Sequence, residues 1–158
     1  MVFWEGGSLW LALITGGNNL HRHHAIQVSL PLTGRVRFRR SPGEDWVSYS
    51  AAIITPDVPH AFDAPGTVVA NILFEPESAA GRALLRRFSE PGIFALPAAE
   101  AAMLAGPLAQ LHATQPADAE LVEQARAVIA RLSGVATLAV TGDPRVATAI
   151  RYIRTHLD

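Results

Sequence analysis

At 158 residues the chain has the length of one domain, and 49% apolar against 17% charged residues can build a core and excludes wholesale disorder. There is no cysteine, which excludes disulfides, thiolate nucleophiles and cysteine-bound zinc, and suits a reducing cytoplasm. A net charge of −1 excludes a strong general pull toward nucleic acid or anionic lipid, and the longest apolar run near the N-terminus, residues 9–14, is too short to cross a bilayer.

The first 76 residues alternate short apolar runs with turn signals. Runs at 2–5, 9–15, 21–32, 36–40, 46–55, 60–64 and 67–74 are separated by Gly6-Gly7, Gly16-Gly17-Asn18-Asn19, Thr33-Gly34, residues 41–45, Pro56 and Pro65-Gly66. Many short strands at this spacing predict an all-β sandwich or barrel. Arg35, Arg37 and Arg39 fall on one face of their strand, with Val36 and Phe38 on the other. That face is an anion patch or, more commonly, a solvated surface. Trp4, Trp10 and Trp46 read as core or barrel-mouth packing.

After residue 76 the pattern becomes helical. A short helix is predicted over 78–88 and a linker over 89–97. A longer alanine-rich helix follows over 98–112, which Gly106-Pro107 should kink or split. The clearest helix runs over 118–132, where Leu121, Ala125, Val128 and Leu132 repeat at intervals of four, three and four. That stripe exceeds what the flank of a small barrel needs, so these four residues are expected at a subunit interface. Residues 143–158 read as one more helix, opened by Asp143 and Pro144, with Val146, Ile150, Ile153 and Leu157 along one side. A stripe without a core of its own reads as a terminal helix folded back on its own domain or, the favoured expectation, as the first helix of a further domain, which makes the chain the front part of a longer protein. The expected organisation is a β-barrel over 1–76, a helical dimerisation segment over 77–142, and that helix over 143–158.

Four of the six histidines lie in two short β segments: His21, His23 and His24, then His60. On a strand, residues two apart share a face, so His21, His23 and Gln27 point one way while His24, Ile26, Val28 and Leu30 point the other. A second strand carrying His60 brings a third imidazole to the same interior. Two or three imidazoles plus one oxygen donor suit zinc, iron, manganese or nickel. They also serve as hydrogen-bonded walls of a pocket without metal. No glycine-rich phosphate loop and no nucleophile elbow is present.

The segment running from His21 to Gln27 and followed by Gly34 resembles the first signature of the cupin superfamily. That signature has two histidines one residue apart, an acidic residue four positions on, and a glycine seven further. Gln27 stands where the family usually has Glu. Pro56-Asp57-Val58-Pro59-His60 resembles the second signature, one residue short and without its glycine. Within the cupins the chain is most similar to the N-terminal portion of AraC-type transcription regulators. Residues 56–62 resemble their second barrel motif, residues 74–81 their strand-to-helix exit, and residues 143–158 the first helix of their DNA-binding domain.

The resemblance implies a double-stranded β-helix, or jelly-roll, barrel followed by dimerising helices. It implies a pocket at His21, His23, Gln27 and His60 for a small-molecule effector, a homodimer, and DNA binding only through helix-turn-helix elements beyond residue 158. On that reading the chain is not an enzyme, and metal is expected to be partial or absent because an amide binds metal more weakly than a carboxylate. The rival reading is a metal-dependent cupin enzyme, a dioxygenase or isomerase, acting from the same four residues. A third is a structural dimerisation module.

Overall fold

The structure, a computed structural model, describes residues 1–114, 116–135, 148 and 152. The helix expected over 143–158 therefore lies outside the described residues, Thr148 and Tyr152 excepted.

The alternating N-terminal half folds as strands β1 (Val2–Trp4), β2 (Gly7–Ile14), β3 (Ile26–Pro31), β4 (Val36–Arg39), β5 (Val47–Tyr49), β6 (Ala52–Ile54), β7 (Ala61–Asp63) and β8 (Thr67–Phe74). Helix α1 (Ala79–Leu85), strand β9 (Ile93–Ala95), helix α2 (Ala98–Thr114) and helix α3 (Asp118–Ser133) follow. Gly34 (φ 70°) and Gly66 (φ 73°) turn the chain between β3 and β4 and between β7 and β8, at dihedrals that strain a residue with a Cβ.

The strands form two antiparallel sheets, one of six strands in the order β1-β2-β8-β3-β6-β9 and one of three in the order β5-β4-β7. The fold is mainly β with C-terminal helices, as the patterning predicts.

Strand alternation divides the side chains between two cores. Ile26, Val28 and Leu30 of β3, with Ala70, Ile72 and Phe74 of β8, face outward and pack with Leu84, Leu104, Leu108, Val128, Ile129 and Leu132 of the helices. The opposite face of the large sheet turns Ala52, Ile54 and Val69 toward Val36, Phe38 and Phe62 of the small sheet. Each fully buried Leu, Ile or Phe adds roughly 1.5–3 kcal/mol of transfer free energy, so the helix-side cluster is the larger source of stability.

Several boundaries differ from the patterned reading. The run over 46–55 is two strands: β5 pairs with β4 in the small sheet, and after Ser50-Ala51 the chain crosses to pair β6 with β3 in the large one. The expected linker over 89–97 contains β9, which extends the large sheet by pairing with β6. Helix α2 runs through Gly106-Pro107 as one element. Leu104, Ala105 and Leu108 anchor it on both sides of the proline, while Pro107 itself is exposed.

The stripe expected at a subunit interface packs inside the chain. Ala125, Val128 and Leu132 are buried and Leu121 is half-buried, all against the helix-side core. The broad outer face of a six-stranded sheet absorbs the stripe that a small barrel flank could not.

Local chemistry shapes the helix ends. Ser78 caps α1, its Oγ accepting from the Gly81 N–H at 2.9 Å. Glu120 accepts from the Ala117 N–H ahead of α3, and Gly134 closes that helix in the left-handed region at φ 72°. Among the described residues, no helix is long and apolar enough to cross a membrane.

Candidate functional site

The inner face of the large sheet carries polar side chains where the small sheet does not reach. Gln27 and Ser29 of β3 and Asn71 of β8 lie between apolar neighbours on that face. Gln27 and Asn71, with the buried Ser29 hydrogen-bonded to both, floor a cleft of ≈ 350 Å³ with Trp10, Ala12, Ile14, Phe62 and Leu73 as its apolar walls and Asn18, His21 and His23 at its polar end. A second hollow, ≈ 310 Å³ around Arg39, Arg40, Glu44 and Glu90, mixes both charges and holds no histidine.

His21 and His23 sit ahead of β3, in a segment that is not regular strand, and His60 immediately precedes β7. The two segments are joined by a bridge in which His21 N–H donates to His60 O at 3.0 Å and His60 N–H donates to His21 O at 2.8 Å. Asp57, at φ 61°, adds a third link by donating its N–H to His23 O at 2.9 Å. The ladder stops there, because Pro56 and Pro59 flank the turn and Pro59 has no N–H to donate.

Three imidazoles converge as a result. Ring centroids lie 4.5 Å apart for His21–His60, 5.2 Å for His23–His60 and 5.7 Å for His21–His23. One ring nitrogen from each falls within 4.8 Å of the others. Among the described residues, this is the histidine and carboxylate cluster with the spacing of a metal site.

Backbone carbonyls set the tautomers. The Nδ1 atoms of His21, His23 and His60 lie 2.9, 3.0 and 2.9 Å from the carbonyl oxygens of Asn19, Ala25 and Val58. A carbonyl only accepts, so each Nδ1 carries the proton and each neutral ring turns a bare Nε2 lone pair away from the backbone. The Nε2 of His60 is buried and has no partner. Burial pushes the His60 pKa down to about 4, the neighbouring His21 and His23 rings push the same way, and the hydrogen bond to Val58 opposes them. At neutral pH this ring is an uncharged, unpartnered donor of electrons.

Gln27 completes the set, its Oε1 lying 2.9 Å from His23 Nε2. The amide's orientation follows from the chain of bonds behind it. Ser29 Oγ stands 2.6 Å from Asn71 Oδ1, an O–H···O length too short for N–H···O. Ser29 therefore donates to Asn71 and accepts from Gln27 Nε2 at 2.9 Å, which leaves Gln27 Oε1 facing the histidine. Two lone pairs at 2.9 Å attract only with a positive charge beside them, either a proton on Nε2 or a metal cation shared by both. A buried orphan nitrogen, three backbone-oriented imidazoles and an amide oxygen fit a divalent transition metal at bond lengths of about 2.0–2.1 Å, provided the cluster contracts slightly.

His21, His23, Gln27 and His60, singled out from the sequence, thus lie together. His24 points away, as strand parity predicts. It holds Asp57 Oδ2 at 3.1 Å and Glu77 Oε1 at 2.6 Å, and these partners, Glu77 first, raise its pKa. Asp57 is consequently no acid–base partner for His60. Sequence reasoning missed Ser29 and Asn71, although polar residues on the inward positions of otherwise apolar strands were the available signal. Leu121, Ala125, Val128 and Leu132 take no part in the cleft.

No family model and no curated protein matches the chain. Among solved structures, ToxT from Vibrio cholerae superposes with a TM-score of 0.44 and 4% identity, over 96% of this chain and 66% of that one. Unsaturated fatty acid bound wild-type ToxT from Vibrio cholerae strain SCE256 superposes with a TM-score of 0.40 and 7% identity, over 96% of this chain and 62% of that one. The chain thus spans less than two thirds of each. At these scores the likeness assigns neither a family nor a ligand.

Proposed function

We propose that this chain is the effector-sensing region of an AraC-type transcription regulator, with the effector bound in the cleft between the sheets. The observation that carries the reading is the division of β3. Gln27 lines the cleft and is braced by the buried Ser29 on the same face, while Ile26, Val28 and Leu30, one residue away on the same strand, pack in the core that the helices share. Strand β8 repeats the arrangement with Asn71 inward and Ala70 and Ile72 outward. A ligand that shifts or stiffens β3 and β8 therefore acts directly on the seat of α2 and α3. Such coupling needs a ligand that favours one helix arrangement over another.

The motifs at residues 21–34 and 56–60 and the helical pattern over 143–158 support the regulator assignment. On this reading the regulator recognises DNA through a helix-turn-helix domain and works in the cytoplasm. A homodimer formed through surfaces other than the α3 stripe belongs to the same proposal. A divalent metal belongs to it too, held by His21, His23, His60 and the amide oxygen of Gln27, where it would supply a Lewis-acid anchor for an oxygen of the effector.

Amide hydrogen exchange with and without Ni(II) tests the reading. Slower exchange is expected in residues 21–31 and 56–60 and, in addition, across α2 and α3. Protection confined to the cleft, with both helices unchanged, would overturn the sensing role. The cluster of three imidazoles, with the buried Nε2 of His60 unpartnered, favours one further reading, a metal-dependent cupin enzyme. Oxygen uptake by the Fe(II)-loaded chain in the presence of an organic acid would support that rival.

A further inference from the structure

The cleft is polar at one end and apolar along the other, and the apolar part continues beyond it. Three strands of the small sheet lie over six of the large one, and β1 is an edge strand of the large sheet. Phe3 pairs with Ser8 across β1 and β2, which puts Phe3 on the inner face with Trp10. The two rings meet edge to face at 6.4 Å and stay 65% and 49% exposed.

Trp10 spends its one polar atom inside the chain, since its Nε1–H donates to Ser8 Oγ at 3.1 Å. What it offers a ligand is hydrocarbon and π-surface. A pair of exposed aromatic rings that runs directly into a polar cleft asks for an apolar occupant that also has a polar end.

The polar end is equally specific. No Asp, Glu, Arg or Lys lines the cleft, so an ammonium group has no counter-ion there. Asn71 uses its Oδ1 as acceptor toward Ser29 and Gln27, and among the described residues its Nδ2 donates to no protein group. The hydrogens of that amide and a cation on the bare histidine nitrogens all call for an oxygen acceptor on the ligand. A cleft of ≈ 350 Å³ holds on the order of ten non-hydrogen atoms at about 30 Å³ each.

We infer that the cleft takes a small amphiphilic acid: an oxygen head held at Asn71 and the histidine–glutamine site, and a flat or apolar body lying on Trp10 and pointing out toward Phe3. The inference rests on the effector-sensing reading and names the chemical class that the site selects.

Calorimetric titration of the whole chain, in zinc and in chelator, tests it with three probes. They are 3-phenylpropionate, propionate as the head alone, and 3-phenyl-1-propanol as the body without the acid. In zinc, 3-phenylpropionate is expected to bind at least tenfold tighter than either of the others. Trp10→Ala should bring it to within threefold of propionate, and Phe3→Ser should weaken it by a smaller factor; both positions are exposed enough for the variants to unfold cooperatively. Equal affinity for 3-phenylpropionate and propionate, or full affinity in Trp10→Ala, would overturn the inference and leave the sensing reading standing. So would a dimer that dissociates in Trp10→Ala with ligand affinity unchanged, because the aromatic face would then belong to a second copy. Absence of both zinc and probe binding would remove the effector site itself.

Discussion

The outer face of the large sheet is closed by Ile26, Val28, Leu30, Ile72 and three helices, whereas the inner face, one residue along on the same strands, carries Gln27, Ser29 and Asn71 and is only partly covered. On the outer face Ile26, Val28 and Leu30 of β3 and Ala70 and Ile72 of β8 are buried against other apolar side chains. On the inner face the polar groups are satisfied among themselves up to the histidines, where one buried nitrogen is left without a partner. The comparison teaches that a period of two residues separates stability from recognition within a single strand. Substitutions on one face should be read in unfolding, those on the other in binding.

The largest expected effect is on the outer face. Val128→Asp puts an unpaired carboxylate among Ala125, Ile129 and Leu132 and should cost about 4 kcal/mol or more. Chemical denaturation is expected to show an unfolded or barely cooperative chain. A folded variant that has lost only self-association would restore the intersubunit role of α3.

Gly81→Ala probes the seam where α1 leaves the large sheet. A Cβ there would stand 2.4 Å from Glu75 O and 2.6 Å from Pro76 O, both backbone atoms that cannot swing aside. An overpacking cost of about 1–3 kcal/mol is expected in the denaturation midpoint.

Acid tests the inner face. The folded pKa of His60, about 4, lies below the unfolded value near 6.5, so on acidification the unfolded chain takes up this proton first. The contribution is fully present above pH 6.5, is lost as pH falls toward 4, and changes no further below that. In chelator, stability should fall by about 1–2 kcal/mol between pH 7 and pH 5 from this group, and His60→Gln should flatten that slope. The other titratable groups facing it are His21 and His23, with Phe38 closing the far side at 5.9 Å. An unchanged slope in the variant would show that His60 is not the buried base.

The smallest change is Gln27→Glu, which makes the oxygen donor a carboxylate. Zinc affinity should rise about tenfold, with a stability change of about 1 kcal/mol or less in the metal-bound chain.

Which features could be read without the structure follows from the range of the interactions involved. Strand alternation is local, so the arginines at 35, 37 and 39 on one side of the β4 segment were legible, whereas His21 and His23 reach the side of Gln27 through the irregular segment ahead of β3 and its bridge to His60. The arrival of His60 depends on a bridge between segments 39 residues apart (21 to 60); histidine patterning allowed it and the cupin-like motif pointed to it. The split of residues 46–55 between two sheets is decided by partners far along the chain, since β5 pairs with β4 and β6 with β3 and β9. The stripe on α3 announced that it packs and could not announce against what. Pro107 signalled a break that burial of Leu104 and Leu108 on either side overrides. Ser29 and Asn71 looked like ordinary strand interruptions until the fold set them side by side at 2.6 Å.

The central claim is that the inner face is a binding face built on His21, His23, His60 and Gln27. Its most direct test is calorimetric titration of Zn(II) into the chelator-stripped chain and into His60→Ala. One ion per chain is expected in the first, with affinity reduced at least tenfold in the second while cooperative unfolding persists. No binding to the chain, or equal affinity in both, would contradict the claim.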